Sequence, residues 1–271
     1  MHTTKHVVPR LGRIAARQTA LCWVALICLM TGIAGVSAAP NAPPIVLYNG
    51  AKGTLPDDQG FTFLALPSVS PTTAGGATIL NTSSNKNIAA GYFSKPTPQL
   101  VLDHAIGYTL SFTVQVELEN HTDSDKNNDN LEDRAGFSLI VLSSDTRGIE
   151  LGFWKDRIWA QEGGTGKTLF TQAERAPFDT QSARIGYVLT VLDDGYTLSS
   201  SDTPILSGKL RDYNGFSGFP DPYETPNLIF LGDDTSSASA KIGLAYVAVG
   251  PIASSAPSVD RKVYVPLLLR L

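Results

Sequence analysis

Strict alternation of apolar and polar residues over 108–118 constrains this chain more than any other feature. Tyr108, Leu110, Phe112, Val114, Val116 and Leu118 fall on one side of an extended chain, with Thr109, Ser111, Thr113, Gln115 and Glu117 on the other. A period of two marks a strand that is dry on one face and wet on the other, and a helix cannot sort this pattern. The signal returns over residues 137–142, 149–154, 187–192, 228–231 and 242–249, with a shorter strand-like run at 45–48. Between 45 and 250 no stretch repeats apolar residues at three and four, so no helix is expected there. Turn chemistry separates the runs: Lys155-Asp156, Asp193-Asp194-Gly195, and the Gly- and Pro-bearing segment 212–223. Many short strands over 45–250, with no linker among them, fit a single all-β domain, an antiparallel sandwich.

The two ends read differently. Residues 1–17 carry Lys5, Arg10, Arg13 and Arg17 and no acid, an apolar run covers 21–36, and Val36-Ser37-Ala38 places small residues at a cleavage spacing. This is the pattern of a secretory signal, 1–38. Gly32 and Gly35 break the run short of the ~20 residues a spanning helix needs. Residues 39–44 form a Pro/Ala-rich spacer. The signal holds four of the 21 lysines and arginines and none of the 25 acids, so 17 bases would face 25 acids in the exported chain, a formal charge of −8. That balance excludes an electrostatic nucleic-acid binder. Cys22 and Cys28 both lie within the signal, which leaves the exported chain without disulfide or thiolate metal site. At the other end a linker, 251–260, precedes an apolar ending, 261–271. Its seven or eight apolar residues cannot span a bilayer. It is either a surface-retention tag or an edge strand that Pro266 blunts.

Between the strand ending near Glu119 and the one starting near Ala135 lies an acidic loop that spells D-x-N-x-D-N-x-x-D from Asp125. Asp125, Asn127, Asp129 and Asp133 are side-chain candidates and Leu131 a carbonyl candidate for calcium, a hard cation that takes six to eight oxygens around a tight turn. Asn130 stands at the turn position where φ > 0 is needed, and Asn tolerates it next best to Gly. The nine residues resemble the calcium loops of dockerin and thrombospondin type-3 repeats, with Gly136 in place of a bidentate Glu at position 12. A solvated polar loop is the alternative.

The exported chain's two tryptophans sit in GIELGFWKDRIWAQ. A two-residue turn at Lys155-Asp156 pairs Trp154 with Arg157, Gly152 with Trp159 and Glu150 with Gln161. Ile149, Leu151, Phe153, Ile158 and Ala160 then face the core. Glu150, Trp154, Arg157, Trp159 and Gln161 share the opposite face, where indoles beside a carboxylate, a guanidinium and an amide would suit a sugar ring. Packing of the tryptophans beneath a second layer is the competing expectation.

Catalytic signals are sparse. Glycoside hydrolysis needs two suitably spaced carboxyls; this hairpin offers only Glu150, while Glu117 and Glu119 are expected to share the outer face of their strand. His104 and His121 are the exported chain's only histidines, and no G-x-S-x-G elbow accompanies them. Residues 163–168 imitate a phosphate loop but lack its first glycine, which is Gln161, and no helix pattern follows. Asp233-Asp234 reads as a turn with a solvated acidic pair, or as a further cation or hydroxyl contact.

The stretch RAGFSLIVLSSDTRGIELGFWKDRIWAQ, followed by DGYTLSS, LSGKLRDY, PNLIFLGDDTSSA and IGLAYVAV, resembles bacterial surface proteins of the choice-of-anchor type and, more broadly, concanavalin A-like and laminin G-like sandwiches. The ending V-Y-x-P-L-x-x-R is similar to short tails of some secreted bacterial proteins. The resemblance implies a jelly roll of two curved sheets, used for carbohydrate or surface recognition and in some branches for glycan cleavage. The expectation is a secreted or cell-surface, non-catalytic module that binds glycan or another extracellular polymer, with a calcium-braced loop and no transmembrane span after export. The alternatives are a polysaccharide hydrolase or lyase with Glu150 as its acid, and a structural envelope protein.

Overall fold

The computed structural model describes residues 42–122, 124–218 and 221–252. The expected signal, the ending 261–271 and all but the first two residues of the linker lie outside the described residues. Among them are fifteen strands: β1 (Ile45–Asn49), β2 (Phe61–Leu66), β3 (Thr72–Ala74), β4 (Ala77–Asn81), β5 (Ala89–Ser94), β6 (Tyr108–Asn120), β7 (Ser138–Leu142), β8 (Gly148–Phe153), β9 (Arg157–Gln161), β10 (Gln172–Pro177), β11 (Ile185–Leu192), β12 (Gly195–Ser200), β13 (Thr203–Lys209), β14 (Ile229–Asp233) and β15 (Ser239–Gly250). Among the described residues helical structure is confined to two single 3-10 turns, Gly50–Lys52 and Pro56–Asp58.

The strands form two antiparallel sheets of a jelly-roll sandwich, the all-β class that the alternation implies. The first runs β13-β12-β11-β6-β15-β4-β3, with β1 also pairing β15; the second runs β10-β9-β8-β7-β14-β5-β2. Long β15 accommodates two neighbours on one edge, β4 along Lys241–Leu244 and β1 along Tyr246–Val249. The inner faces meet in one core, to which β6 contributes Leu110, Phe112, Val114 and Val116 and the second sheet Leu139, Val141, Leu151, Phe153 and Ile158.

Leu118 departs from the expected alternation and is 52 % exposed. The pairing of β6 with β15 slips where Lys241 opposes Leu118 and Ile242 opposes Val116. One extra residue in the strand at this bulge reverses which face follows it. Glu119, expected to lie outward beside Glu117, therefore has its side chain buried against His121 at 2.8 Å, while Glu117 pairs with Lys241 at 2.6 Å.

The second sheet is covered on both sides. Every residue of β7 and β8 is buried. On the outer face Ile140, Leu142, Leu228 and Phe230 meet Leu169, Phe170, Tyr213 and Tyr223 from the loops, forming a second apolar layer. The hairpin register matches its spacing: Gly152 opposes Trp159, Phe153 opposes Ile158, and the Trp154 N–H donates to the Arg157 carbonyl across the Lys155-Asp156 turn at 2.9 Å.

Candidate functional site

The loops do not close over the whole outer face of the second sheet. They leave a cleft of about 510 Å³. Its floor is Ile140 of β7, Phe230 of β14, Phe93 and Gly91 of β5, and Leu64 and Leu66 of edge strand β2. Gly91 is required for this floor, because a Cβ there would run into the Phe230 ring that lies across it. Phe170, Phe216, Pro222 and Tyr223 rise on one side, and Ser124, Asp125 and Lys126 border it as well.

The polar groups gather at one end. The Arg134 guanidinium is bonded to Asp234 at 2.9 Å and lies 3.6 Å from Glu150. The Tyr223 hydroxyl is 2.5 Å from Glu150 Oε2 and 3.5 Å from Asp234 Oδ2. Two carboxyls thus share one cation and one hydroxyl. Arg134, Tyr223 and Asp234 line the cleft, whereas Glu150 is fully buried behind them. Arg134 Nη1, Glu150 Oε1 and Asp234 Oδ1 are buried with no hydrogen-bond partner among the described residues.

Electrostatics follows from burial. Desolvation, reinforced by the charge of Asp234 and opposed by Arg134, pushes the Glu150 carboxyl up to about 8. Burial alone would lower the Arg134 guanidinium, but Asp234 and Glu150 outweigh it and hold it raised. Asp233 is likewise pushed well above the carboxylate range by burial, against hydrogen bonds from Thr82 and Thr235. Asp233-Asp234 is therefore no solvated acidic turn: Asp233 accepts from the Thr82 hydroxyl at 2.6 Å and Asp234 is the partner of Arg134.

These raised values set a pH dependence. A carboxyl whose folded value exceeds its ordinary 4.5 binds its proton more tightly in the folded state. The stability it contributes is complete below about pH 4.5 and is lost as pH rises towards about 8. The denaturation midpoint should fall between pH 5 and 8, with a shallower fall in Glu150→Gln. An identical slope in the two proteins would remove Glu150 as its source.

The five residues expected to form an open sugar platform share one face, but that face is not open. Trp159, Glu150 and Gln161 are fully buried and Trp154 is 7 % exposed; only Arg157, at the turn, is half-buried. The reason is the second layer: Trp159 packs with Trp154 and Ala135, and His121 stacks on Trp154 at 3.7 Å. The hairpin instead straps down the segment that carries Arg134. Trp154 Nε1 donates to the Arg134 carbonyl at 3.0 Å, and Gln161 Nε2 donates to the Asp133 carbonyl at 3.0 Å.

The acidic loop forms the tight turn that its spacing implies, with Asn130 at φ 69° and Asn128 at φ 60°. Asp125 accepts from the N–H groups of Asn128 at 2.7 Å and Asn130 at 2.9 Å, and Asp129 accepts from the Leu131 N–H at 2.8 Å. Asp133 leaves the expected ligand set. Its side chain is buried and accepts from the N–H groups of Lys126 and Gln172, at 2.8 and 3.2 Å. Among the described residues no three His, Cys, Asp or Glu side chains converge on a metal position.

Arg134, Tyr223, Phe170 and Phe216 are not singled out by the sequence as site residues, and Asp234 only as a further cation or hydroxyl contact. The one available signal was Asp233-Asp234 directly after an apolar strand, with no partner in sight. Tyr223 and Phe216 come from the turn-rich segment 212–223, which carries no period at all.

No family model matches the chain, and no curated protein matches it. Among solved structures it is similar to the conserved carbohydrate esterase vb_24B_21 from the Shiga toxin-encoding bacteriophage phi24B, at 10 % identity over 77 % of this chain and 99 % of that one, with a TM-score of 0.51. It is also similar to a protein of unknown function with a galectin-like fold from Bacillus subtilis, at 8 % identity over 76 % of this chain and 96 % of that one, with a TM-score of 0.46. A third is the exoplasmic/lumenal domain of VIP36 in its Ca²⁺/Man2-bound form, at 8 % identity over 80 % and 92 %, with a TM-score of 0.45. At such identities what the chain shares with the phage esterase is the fold.

Proposed function

We propose that the protein is an exported module that binds carbohydrate, or another extracellular polymer, in the cleft on the outer face of its second sheet. The observation that carries this reading is a concave site with an aromatic wall, Phe170, Phe216 and Tyr223, ending in donors and acceptors held by Arg134 and Asp234. Such a wall can stack on the CH faces of a sugar while the polar end takes its hydroxyls. That the phage protein of like fold is by name a carbohydrate esterase agrees with it. In this reading Glu150, Trp154, Trp159 and Gln161 hold the site rather than touch the ligand. Arg157, at the hairpin turn, covers Trp154 with its guanidinium 5.2 Å from the ring centre.

Export rests on the basic, then apolar start of the sequence, and retention at the cell surface would fall to residues 261–271. No helix among the described residues is long and apolar enough to cross a membrane. Calcium belongs to the same proposal: the loop that would hold it contributes Ser124, Asp125 and Lys126 to the cleft border, so a cation at Asp125, Asn127, Asp129 and Leu131 would stiffen one wall.

The test is a glycan array on the exported protein, with and without EDTA, beside Phe216→Ala. The variant should bind at least about tenfold more weakly, about 1.4 kcal/mol, with an unchanged melting midpoint, and EDTA should lower affinity by a smaller factor. Undiminished binding by Phe216→Ala would move the site elsewhere.

A second reading, hydrolase or lyase, is favoured by the Tyr223 hydroxyl shared between Glu150 and Asp234. A carboxyl that burial holds protonated near neutral pH, beside a second one, suits general acid work. Release of reducing ends from mixed polysaccharides, abolished in Glu150→Gln, would establish it. A structural envelope role would leave both assays silent.

A further inference from the structure

We infer that the cleft selects polymers bearing an ester-linked acyl or aryl substituent, with the substituent on the apolar floor and the sugar's hydroxyls at the Arg134–Asp234 end. This rests on the reading that the cleft takes an extracellular glycan. The division of the cleft is what points to the substituent. Leu64, Phe93, Ile140 and Phe230 offer no donor or acceptor along the floor. An unsubstituted pyranose carries hydroxyls around its whole rim. Each one buried against that floor without a partner costs about 1–3 kcal/mol, while each buried CH₂ returns only about 0.8 kcal/mol. A bare sugar is therefore excluded from most of the cleft, and an acyl chain or an aromatic ring is not.

The opposite end has the complementary chemistry. The Arg134 and Asp234 side chains keep a little exposed surface there, 12 % and 13 %, so a vicinal diol beside the ester meets a donor and an acceptor. The floor also reaches solvent at the sheet edge, where Leu64 and Leu66 of β2 are 37 % and 41 % exposed. A side group can enter there while the polymer backbone runs past outside.

The cleft border carries Asp125 beside Lys126, and its polar end the paired Arg134 and Asp234, so cations and carboxylates are matched there and no net positive charge calls for an anion.

The experiment uses the exported full chain and three kinds of probe: acetylated xylan and feruloylated arabinoxylan, the same two polymers after saponification, and the neutral fluorophore N-phenyl-1-naphthylamine. The dye should bind the cleft and be displaced by at least one esterified polymer, which should bind at least tenfold tighter than its saponified form. Leu64→Ser, at an exposed position, should erase most of that difference. Equal affinity for esterified and saponified polymers, with no dye displacement, would overturn the substituent inference and leave glycan binding standing. Dye binding displaced by palmitate and by none of the polymers would overturn both the inference and the glycan reading on which it rests.

Discussion

Replacing Arg134 with alanine is expected to destabilise the folded protein by about 3–5 kcal/mol at pH 8, the cost of leaving a buried charge without its partner. Arg134 is the only cation within ion-pair distance of Glu150 and Asp234 among the described residues. Without it Glu150, fully buried, faces Asp234 across the Tyr223 hydroxyl with no ion-pair partner for either acid among the described residues. At about 2–4 °C per kcal/mol for a chain of this size, the melting midpoint should drop by roughly 6–20 °C. The loss should shrink at pH 5, where Glu150, raised by its burial, carries a proton in the folded state. Thermal and urea denaturation at both pH values measure this. A loss below 1 kcal/mol at pH 8, or one independent of pH, would show that the cluster does not hold the cleft end together. Asp234→Asn, which removes one of the two acids and keeps the shape, should cost far less than Arg134→Ala.

Trp159→Ala should be of comparable size, about 3–5 kcal/mol, the range for deleting a large buried aromatic. The indole has no exposed surface; it lies over Gly152 and against Trp154, with ring centres 4.6 Å apart. A Cβ added at Gly152 would stand 2.5 Å from the indole, so Gly152→Ala should also destabilise, by about 1–3 kcal/mol through overpacking. Were Trp159 an exposed stacking platform, its removal would alter stability by less than about 0.5 kcal/mol and abolish glycan binding directly. Chemical denaturation paired with binding to the array separates the two: stability falls first, and any residual folded fraction retains affinity. Unchanged stability in Trp159→Ala would contradict the packing described here.

Much of the hairpin was legible in its sequence. The Lys155-Asp156 turn and the alternation either side of it pair Gly152 with Trp159 and send Ile149, Leu151 and Phe153 to the core, as observed. The tight turn of the acidic loop, with its left-handed Asn130, was legible for the same reason, since Asx side chains and backbone amides only a few residues apart decide it. The bulge in β6 was not. Nothing in residues 116–119 distinguishes a regular strand from one carrying an extra residue, and the consequence, Leu118 out and Glu119 in, depends on the partner strand β15. Nor did residues 125–133 show that Asp133 would be drawn from the loop by amides at Lys126 and Gln172, because Gln172 lies far along the chain.

Local periodicity and turn chemistry thus determined the class of fold, about half of the strands, the hairpin register and which side chains of the hairpin share a face. They act between residues that are neighbours in the chain or directly across a short turn. Whether a shared face meets water, a ligand or a second layer of protein was decided only in three dimensions. Phe170, Phe216 and Tyr223 reach the outer face of the second sheet from loops remote in sequence. They cover Ile140 and Phe230, while Ala135 and His121 cover the tryptophans, and the cleft stays open beside Arg134 and Asp234. Alternation specifies orientation relative to the sheet, and exposure depends on what long-range packing places above it.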